Sequence, residues 1–257
     1  MPFSQQNGVS VYYETYCEGH PFILIHANPF DHRLWLYQIA KYSQAFRVVA
    51  LDIRGYGRSD KPETPFTLRD MADDIVAVIR AEKVERAVFL GVSVGANIVL
   101  LIGLDHPQMV NGLVMVGGGA RMTTGEKRIA GYLSDAASYR GVHIRELVSP
   151  AFRASPLGAW LLGLFLTGKP AISGASIAQI FRALIGSDVR SRLHEIVMPT
   201  LFVNGELDGA LPNSREAAAG IPGAQHVILA GSGHACNLED PAAFDRTVTP
   251  FLLAHGT

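Results

Sequence analysis

The sequence predicts an α/β fold with a mostly parallel central sheet flanked by helices and a helical cap inserted into it. Short apolar runs alternate with helical patterns over the first 119 residues, which is typical of parallel strands joined by right-handed crossovers. The alternation stops between residues 120 and 190, where the pattern is helical and broken by glycines and prolines. Because it resumes afterwards, we expect residues 1–119 and 191–257 to form the core domain and 120–190 to be a cap insertion.

Composition and charge exclude several classes of protein. The chain has 257 residues, of which 48% are hydrophobic and 18% charged, so a large core is expected and disorder is not. A net charge of −1 gives no sign of a nucleic-acid or anionic-membrane partner. Two cysteines provide no disulfide framework, and no signal-peptide or membrane-spanning pattern is found. These features predict a cytoplasmic protein, and none of them predicts an oligomeric state.

Seven apolar runs are predicted to be strands, the first of them antiparallel at the sheet edge. They span residues 9–16, 22–25, 46–51, 87–90, 113–116, 200–203 and 225–229. Asp31 is placed to cap the helix after the second run, so Asp31, His32 and Arg33 are interpreted as structural. Thr67 and Asp70 have the pattern of a capping box for a helix that ends near residue 82. Further helices are predicted from 94 to about 106, over 213–219, and from 241 to about 255.

The most informative stretch is Gly-x-Ser-x-Gly around Ser93, which stands between an apolar run and a helical pattern. Such a stretch is typical of a nucleophile elbow, where a strand turns sharply into a helix and presents one hydroxyl at the sheet edge. The turn requires small residues on both sides, and Gly91 and Gly95 meet that requirement. Ser93 would then lie at a helix N-terminus, where free amides favour developing negative charge.

A serine hydroxyl is a poor nucleophile until a base takes its proton and an acid orients that base. For this architecture the chain order is serine, acid, histidine, each after a strand. Asp208 follows the run at 200–203, and His234 stands in a Gly-rich loop after the run at 225–229. Glu206 is an alternative acid in a position that fits less well. The sequence therefore predicts a Ser93–His234–Asp208 triad.

The chain resembles the α/β-hydrolase superfamily over essentially its whole length. The motifs that carry the resemblance are His26-Ala27-Asn28-Pro29, Asp52-x-Arg54-Gly55-x-Gly57-x-Ser59 and Gly231-x-Gly233-His234 with Glu239 and Pro241. The resemblance implies that Ser93 is the nucleophile, His234 the base and Asp208 the acid. It also implies an oxyanion hole formed by the backbone N–H groups of Asn28 and Val94, with no cofactor.

The first of these motifs departs from the family pattern. Ala27 replaces the usual glycine, which would narrow the site or alter the loop backbone. Asn28 resembles the loop of haloalkane dehalogenases, but their nucleophile is a carboxylate, so the serine elbow argues against carbon–halogen displacement. The simpler interpretation of Asn28 is that only its backbone N–H takes part in the site. The alternative is that its side chain contacts the substrate.

Other candidate sites are weaker. No elbow presents Cys236, and His26 is interpreted as a structural, hydrogen-bonded residue. No cluster has metal-ligand spacing, and the glycines at 117–119 lack the spacing of a nucleotide-binding loop. We therefore expect neither a metal nor a nucleotide.

The composition of the cap is the substrate clue in the sequence. Its large apolar side chains are Phe152, Trp160, Leu161, Leu164, Phe165, Leu166, Ile177, Ile180 and Phe181. They favour a small hydrophobic substrate, with Ala27, Trp160, Phe165 and Phe181 as candidate pocket residues. The cap arginines Arg140, Arg145 and Arg153 are interpreted as a solvated face rather than a carboxylate site.

The chain is similar in length and cap to 3-oxoadipate enol-lactonases and small esterases, which implies hydrolysis of a carboxylic ester or lactone. The same triad also serves hydrolysis of a carbon–carbon bond in vinylogous diketones, and perhydrolase or haloperoxidase side activity stays open. A receptor of this fold, which binds a small molecule with little turnover, is the alternative from a different class.

Overall fold

One eight-stranded sheet organises the structure, a computed structural model that describes residues 3–122, 124–167 and 172–256. The strands are β1 (Phe3–Gln6), β2 (Val9–Tyr16), β3 (His20–Ile25), β4 (Phe46–Leu51), β5 (Ala87–Val92), β6 (Val110–Val116), β7 (Thr200–Gly205) and β8 (Gln225–Leu229). They lie in the order β1-β2-β4-β3-β5-β6-β7-β8. The pairs β1–β2 and β2–β4 are antiparallel and the remaining pairs are parallel, which confirms the predicted α/β sheet.

Helices surround the sheet and follow the predicted order. They are α1 (Leu36–Tyr42), α2 (Leu68–Ala81), α3 (Val94–Asp105), α4 (Glu126–Ser134), α5 (Ala136–Glu146), α6 (Pro150–Ala154), α7 (Pro156–Thr167), α8 (Gly174–Ile185), α9 (Leu211–Gly220), α10 (Cys236–Glu239) and α11 (Pro241–His255). The Thr67–Asp70 capping box is present at the start of α2. Asp31 caps a short 3-10 helix (His32–Trp35) that leads into α1, as expected from its side chain.

Two apolar clusters fill the space on the two faces of the sheet. Alternate residues of β3 take opposite sides, with Ile23 and Ile25 in the cluster under α2 and α3 and Phe22 and Leu24 in the cluster under α1 and α11. Every residue of β5 is buried. This two-sided burial explains why the central strands are continuous apolar runs in the sequence.

The segment between β6 and β7 contains α4 to α8, and we call residues 120–190 the helical insertion. Its two ends meet, because Arg121 and Asp188 form an isolated antiparallel bridge and the N–H of Val189 donates to the carbonyl of Ala120 at 2.9 Å. The chain therefore leaves the sheet and returns to it at one place. Within the described part of the insertion, that bridge is the only β-type pairing.

Helix length and the state of the two cysteines complete the description of the fold. Among the described residues, no helix is both long and apolar enough to cross a membrane. Cys17 is exposed and Cys236 is buried, and both are free thiols.

Candidate active site

The turn from β5 into α3 has the geometry of a nucleophile elbow. Ser93 has φ +56° and ψ −117°, a strained conformation for a residue with a side chain. Its N–H donates to the carbonyl of Val116 at 2.8 Å, which ties the elbow to the end of β6. A Cβ at Gly91 would overlap the backbone of Gly95, and a Cβ at Gly95 would overlap the carbonyl of Ile25. The two glycines are therefore required by close approach of the backbone.

His234 and Asp208 form a hydrogen-bonded pair at the carboxyl ends of β8 and β7. Nδ1 of His234 lies 2.7 Å from Oδ1 of Asp208, and only 11% of the histidine side chain is exposed. Burial disfavours the charged imidazole, but the Asp208 carboxylate outweighs burial, so the pKa of His234 is raised above its ordinary 6.5. Burial also opposes ionisation of Asp208, yet His234 and other donors keep the pKa of Asp208 below its usual range. The pair is therefore built to hold a proton on Nδ1.

Asn204 holds the carboxylate from the other side. Its Nδ2 donates to Oδ2 of Asp208 at 2.7 Å, and the N–H of Ala210 donates to Oδ1 at 2.8 Å. Oδ1 of Asn204 is itself 2.9 Å from Nε2 of His226. Sequence analysis did not identify Asn204. Its signal was a polar residue, four positions before Asp208, directly after the apolar run of β7.

The histidine loop is anchored to the helical insertion through Glu239. Its two carboxylate oxygens accept from the N–H of Gly233 at 2.8 Å and the N–H of Ser149 at 3.0 Å. The N–H of Ala235 also donates to the carbonyl of Leu147 at 2.9 Å. Three hydrogen bonds thus fix the backbone on both sides of His234 to the α5–α6 junction.

The backbone N–H groups of Asn28 and Val94 donate no hydrogen bond to any residue that the structure describes. Both residues line the same cavity as Ser93. Oδ1 of Asn28 is also enclosed and without a partner among the described residues. His26 fixes this loop, because its Nδ1 contacts the carbonyl of Ala27 at 2.9 Å and its Nε2 accepts from the N–H of Ile53 at 3.0 Å. His26 is therefore structural, as the sequence indicates.

A cavity of about 470 Å³ brings the candidate residues together. Ser93, His234, Asp208, Asn28 and Val94 all line it. The other lining residues come from α3, the loops after β6 and β7, the helical insertion and α9: Asn97, Gly117, Gly118, Gly119, Arg121, Met122, Thr124, Gly125, Glu126, Lys127, Arg128, His143, Glu146, Leu147, Phe181, Leu184, Gly209, Ala210 and Asn213. The site therefore lies between the carboxyl edge of the sheet and the helical insertion.

The structure corrects most of the apolar pocket expected from the cap. Of the four candidate pocket residues, only Phe181 lines the cavity. Trp160 is 60% exposed on α7, so that prediction is wrong. Phe165 packs edge-on against Phe30 at 4.8 Å between ring centroids, and Ala27 is fully buried outside the lining. Apolar helix faces identify burial, but the insertion buries most of them against itself and the core.

The solvated interpretation of Arg140 is also wrong. Its side chain lies inside the structure with 6% of the residue exposed, and its Nε donates to the carbonyl of Pro29 at 3.1 Å. It ties α5 to the loop that carries Asn28. Other charged residues, on α4 and α5, line the cavity. Among them are Arg128 and Glu146, whose Nη1 and Oε2 atoms lie 2.6 Å apart.

The other candidate residues named from the sequence do not join the group around Ser93 and His234. Glu206 accepts from the N–H of Gly231 at 2.9 Å in the exposed loop, and Asp208 takes the place beside His234. Burial raises the pKa of the Cys236 thiol. The ligand atoms of Asp31, His32 and Asp52 lie within 4.8 Å of one another, but Asp31 pairs with Arg33 and Asp52 bonds His32. Hydrogen bonding within the loops explains this group without an ion.

Comparison with known proteins bears on the family and the fold. A family model described as the alpha/beta hydrolase fold matches residues 20–140. A putative carbamate hydrolase, RutD of Serratia proteamaculans strain 568, is 30% identical, over 85% of each chain. A solved structure titled "Est816 as an N-Acyl homoserine lactone degrading enzyme" is 31% identical with TM-score 0.85, covering 97% of this chain and all of the other. The enol-lactonase from Burkholderia xenovorans LB400 is 24% identical with TM-score 0.91, covering 98% and 100%, and supports the fold alone.

The chain therefore belongs to the α/β-hydrolase superfamily. The fold, the insertion after β6 and the elbow at Ser93 are consistent with that membership.

Proposed function

We propose that the protein is a serine hydrolase that cleaves small carboxylic esters or lactones through an acyl-enzyme. One observation carries the proposal: the His234–Asp208 pair, the strained Ser93 and two unpaired backbone N–H groups all line one cavity. Nucleophile, base, acid and oxyanion donors are the parts that acyl transfer requires.

In the proposed mechanism, His234 takes the proton of Ser93 Oγ as the oxygen attacks the substrate carbonyl. The N–H groups of Asn28 and Val94 stabilise the negative oxygen, and each such donor typically contributes about 3–4 kcal/mol in the transition state. His234 then gives its proton to the leaving alcohol oxygen. His234 next takes a proton from a water molecule that attacks the acyl-enzyme, and it returns this proton to Ser93 Oγ as the acid is released. Asp208 keeps the imidazole oriented and stabilises its charged form throughout.

Residues 120–190 are proposed to act as the cap that supplies the substrate-facing wall, since α4, α5 and α8 contribute lining residues. That wall carries Arg128, Glu146 and His143 beside Phe181, which favours a substrate with polar groups over a purely hydrophobic one. The free thiols Cys17 and Cys236 support a place in a reducing compartment, the cytoplasm.

Carbamate hydrolysis is the second candidate, because a relative of 30% identity is named a putative carbamate hydrolase. A carbamate presents a carbonyl to Ser93 in the same way as an ester. Purified protein should be assayed against matched esters, lactones and carbamates beside Ser93→Ala. Turnover of esters or lactones by the wild type alone supports the proposal, and turnover of carbamates alone replaces it with the second candidate. Tight binding without turnover of any of them would contradict both and favour a receptor.

A further inference from the structure

A second histidine faces the proposed reaction site. His143 lies on α5 and lines the cavity together with Ser93 and His234, with only 4% of the residue exposed. His143, Glu146 and Leu147 lie at positions i, i+3 and i+4, so one face of α5 turns toward the cavity. The mechanism proposed above does not use His143, and its two ring nitrogens have very different surroundings.

Nδ1 of His143 is occupied by a buried tyrosine. It lies 2.7 Å from the hydroxyl oxygen of Tyr132, whose residue is 1% exposed. The hydroxyl has no other hydrogen-bond partner among the described residues. A buried O–H donor without an acceptor costs about 1–3 kcal/mol, so the tyrosine proton points at Nδ1. Nδ1 is therefore the acceptor, and the neutral ring carries its own proton on Nε2.

Nε2 of His143 is open to the cavity. No described residue forms a hydrogen bond with it, and it is absent from the polar atoms that are both enclosed and unpaired. Because the residue is otherwise buried and lines the cavity, the cavity is the space that reaches this atom.

The ring is held in place and stays neutral. The ring centroid of Phe181 lies 5.9 Å from that of His143 and 6.1 Å from that of Tyr132, so Phe181 supports both rings. Burial, reinforced by the charges of Arg128 and His234, lowers the pKa of His143 well below its ordinary 6.5. His143 therefore offers one N–H donor of fixed direction and no charge at neutral pH.

We propose that His143 is a substrate-binding residue whose Nε2–H donates to an acceptor oxygen of the substrate other than the carbonyl attacked by Ser93. This inference rests on the proposed function for the position of the attacked carbonyl. It narrows the substrate class to esters, lactones or carbamates that carry a second acceptor, such as an oxo, ether or carboxylate oxygen. A site built around a buried donor discriminates against an analogue that leaves the donor unpaired.

Two pairs of near-isosteric esters test the substrate preference. Phenyl 4-oxopentanoate against phenyl pentanoate places the acceptor on the acyl side, and 2-methoxyethyl butanoate against butyl butanoate places it on the alcohol side. In at least one pair, wild-type kcat/KM should favour the acceptor-bearing ester by about 3- to 10-fold, the range of one net hydrogen bond. His143→Phe should bring that ratio close to 1, and His143→Gln, which keeps a donor, should retain part of it.

Two tyrosine variants, Tyr132→Phe and Tyr139→Phe, distinguish an effect of the His143 tautomer on the ester preference from an effect of packing. Tyr132→Phe removes the group that fixes the proton on Nε2, so the preference should shrink. Tyr139 packs edge-on against Tyr132 at 5.1 Å, and its hydroxyl has no partner among the described residues. Tyr139→Phe is therefore the matched control and should keep the wild-type ratio. If the ratio of kcat/KM between the two esters of each pair is the same in wild type and His143→Phe, the inference is overturned.

A measurement without turnover keeps the inference separate from the proposed function. The ring ¹⁵N resonances of His143 in Ser93→Ala should show the proton on Nε2, and in at least one pair they should shift on adding the acceptor-bearing ester but not its isostere. A proton on Nδ1, or no shift with either ester of both pairs, would overturn the role of His143. Loss of hydrolysis in Ser93→Ala would still support the proposed function in that case. If the wild type hydrolyses no ester, the proposed function fails and the resonance shift alone decides on His143.

Discussion

Nδ1 of His234 and Oδ1 of Asp208 are joined at 2.7 Å across the ends of two neighbouring parallel strands. The residues are 26 positions apart in the chain, and the sheet brings them together because β7 and β8 end at the same edge. Asp208 is almost fully buried, so its charge acts on His234 through protein rather than through water.

Asp208→Asn should lower kcat by about 10³–10⁴-fold, since the amide would favour the wrong tautomer of His234. The fold should persist, because the amide has nearly the same shape. Steady-state kinetics and thermal unfolding check both points. Glu206→Gln, two residues earlier in the same loop, is the matched control, and a loss there as large as that of Asp208→Asn would reassign the acid.

The pH profile of kcat/KM should fall on the acid side with an apparent pKa above 6.5. His234 acts as base only when neutral, and its pKa is raised because the attraction of Asp208 exceeds the penalty of burial. Activity is therefore present above that pKa and lost as the pH falls through it. A profile from pH 5 to 9 measures this value. A flat profile between pH 5 and 8 would exclude His234 as the base.

Asn204→Leu should lower kcat by about 3- to 30-fold with a smaller effect on KM. The substitution removes the donor to Oδ2 of Asp208 and leaves that buried oxygen short of a partner. The same loss should destabilise the fold by about 1–3 kcal/mol. Kinetics and denaturant unfolding measure the two effects separately. An unchanged kcat would show that Asp208 is oriented without Asn204.

Glu239→Ala should loosen the histidine loop. The N–H groups of Gly233 and Ser149 both lose their acceptor, so kcat and Tm should fall together, Tm by several degrees. Asp240→Ala at the next position is the control for kcat, since Asp240 caps α11 and touches neither N–H. If only Tm falls in Glu239→Ala, the loop geometry does not depend on this carboxylate.

Trp160→Ala and Phe181→Ala should differ sharply in kcat/KM. Trp160 is largely exposed, so its removal should change kcat/KM by less than about 2-fold. Phe181 lines the cavity and supports His143, so its removal should lower kcat/KM, and the lost packing should cost about 3–5 kcal/mol of stability. Equal effects on kcat/KM would contradict the cavity described here.

The sheet was predictable because its signals are local. Continuous apolar runs marked β5 and β7, the Thr67 box marked the start of α2, and strand ends placed Ser93, Asp208 and His234 at one edge. The wall of the cavity was not predictable in the same way. Helix periodicity separates buried from exposed faces, but it does not say which partner a face meets.

Phe165 and Arg140 illustrate the difference. The apolar ring of Phe165 meets Phe30 rather than substrate, and the guanidinium of Arg140 is buried against the Pro29 carbonyl rather than solvated. Both outcomes depend on how α5 and α7 lie against the loop after β3, a long-range arrangement absent from any short window of sequence. Phe181 was the one predicted pocket residue that lines the cavity, and the spacing of His143, Glu146 and Leu147 on α5 was a local signal that sequence reasoning did not use.

Labelling with a fluorophosphonate tests the central claim most directly. Intact mass spectrometry should show one adduct per wild-type chain and none on Ser93→Ala, with the wild-type reaction slowed in Asp208→Asn. That result would establish an activated hydroxyl at Ser93. A wild-type chain that stays unlabelled, or an adduct that persists on Ser93→Ala, would contradict Ser93 as the nucleophile.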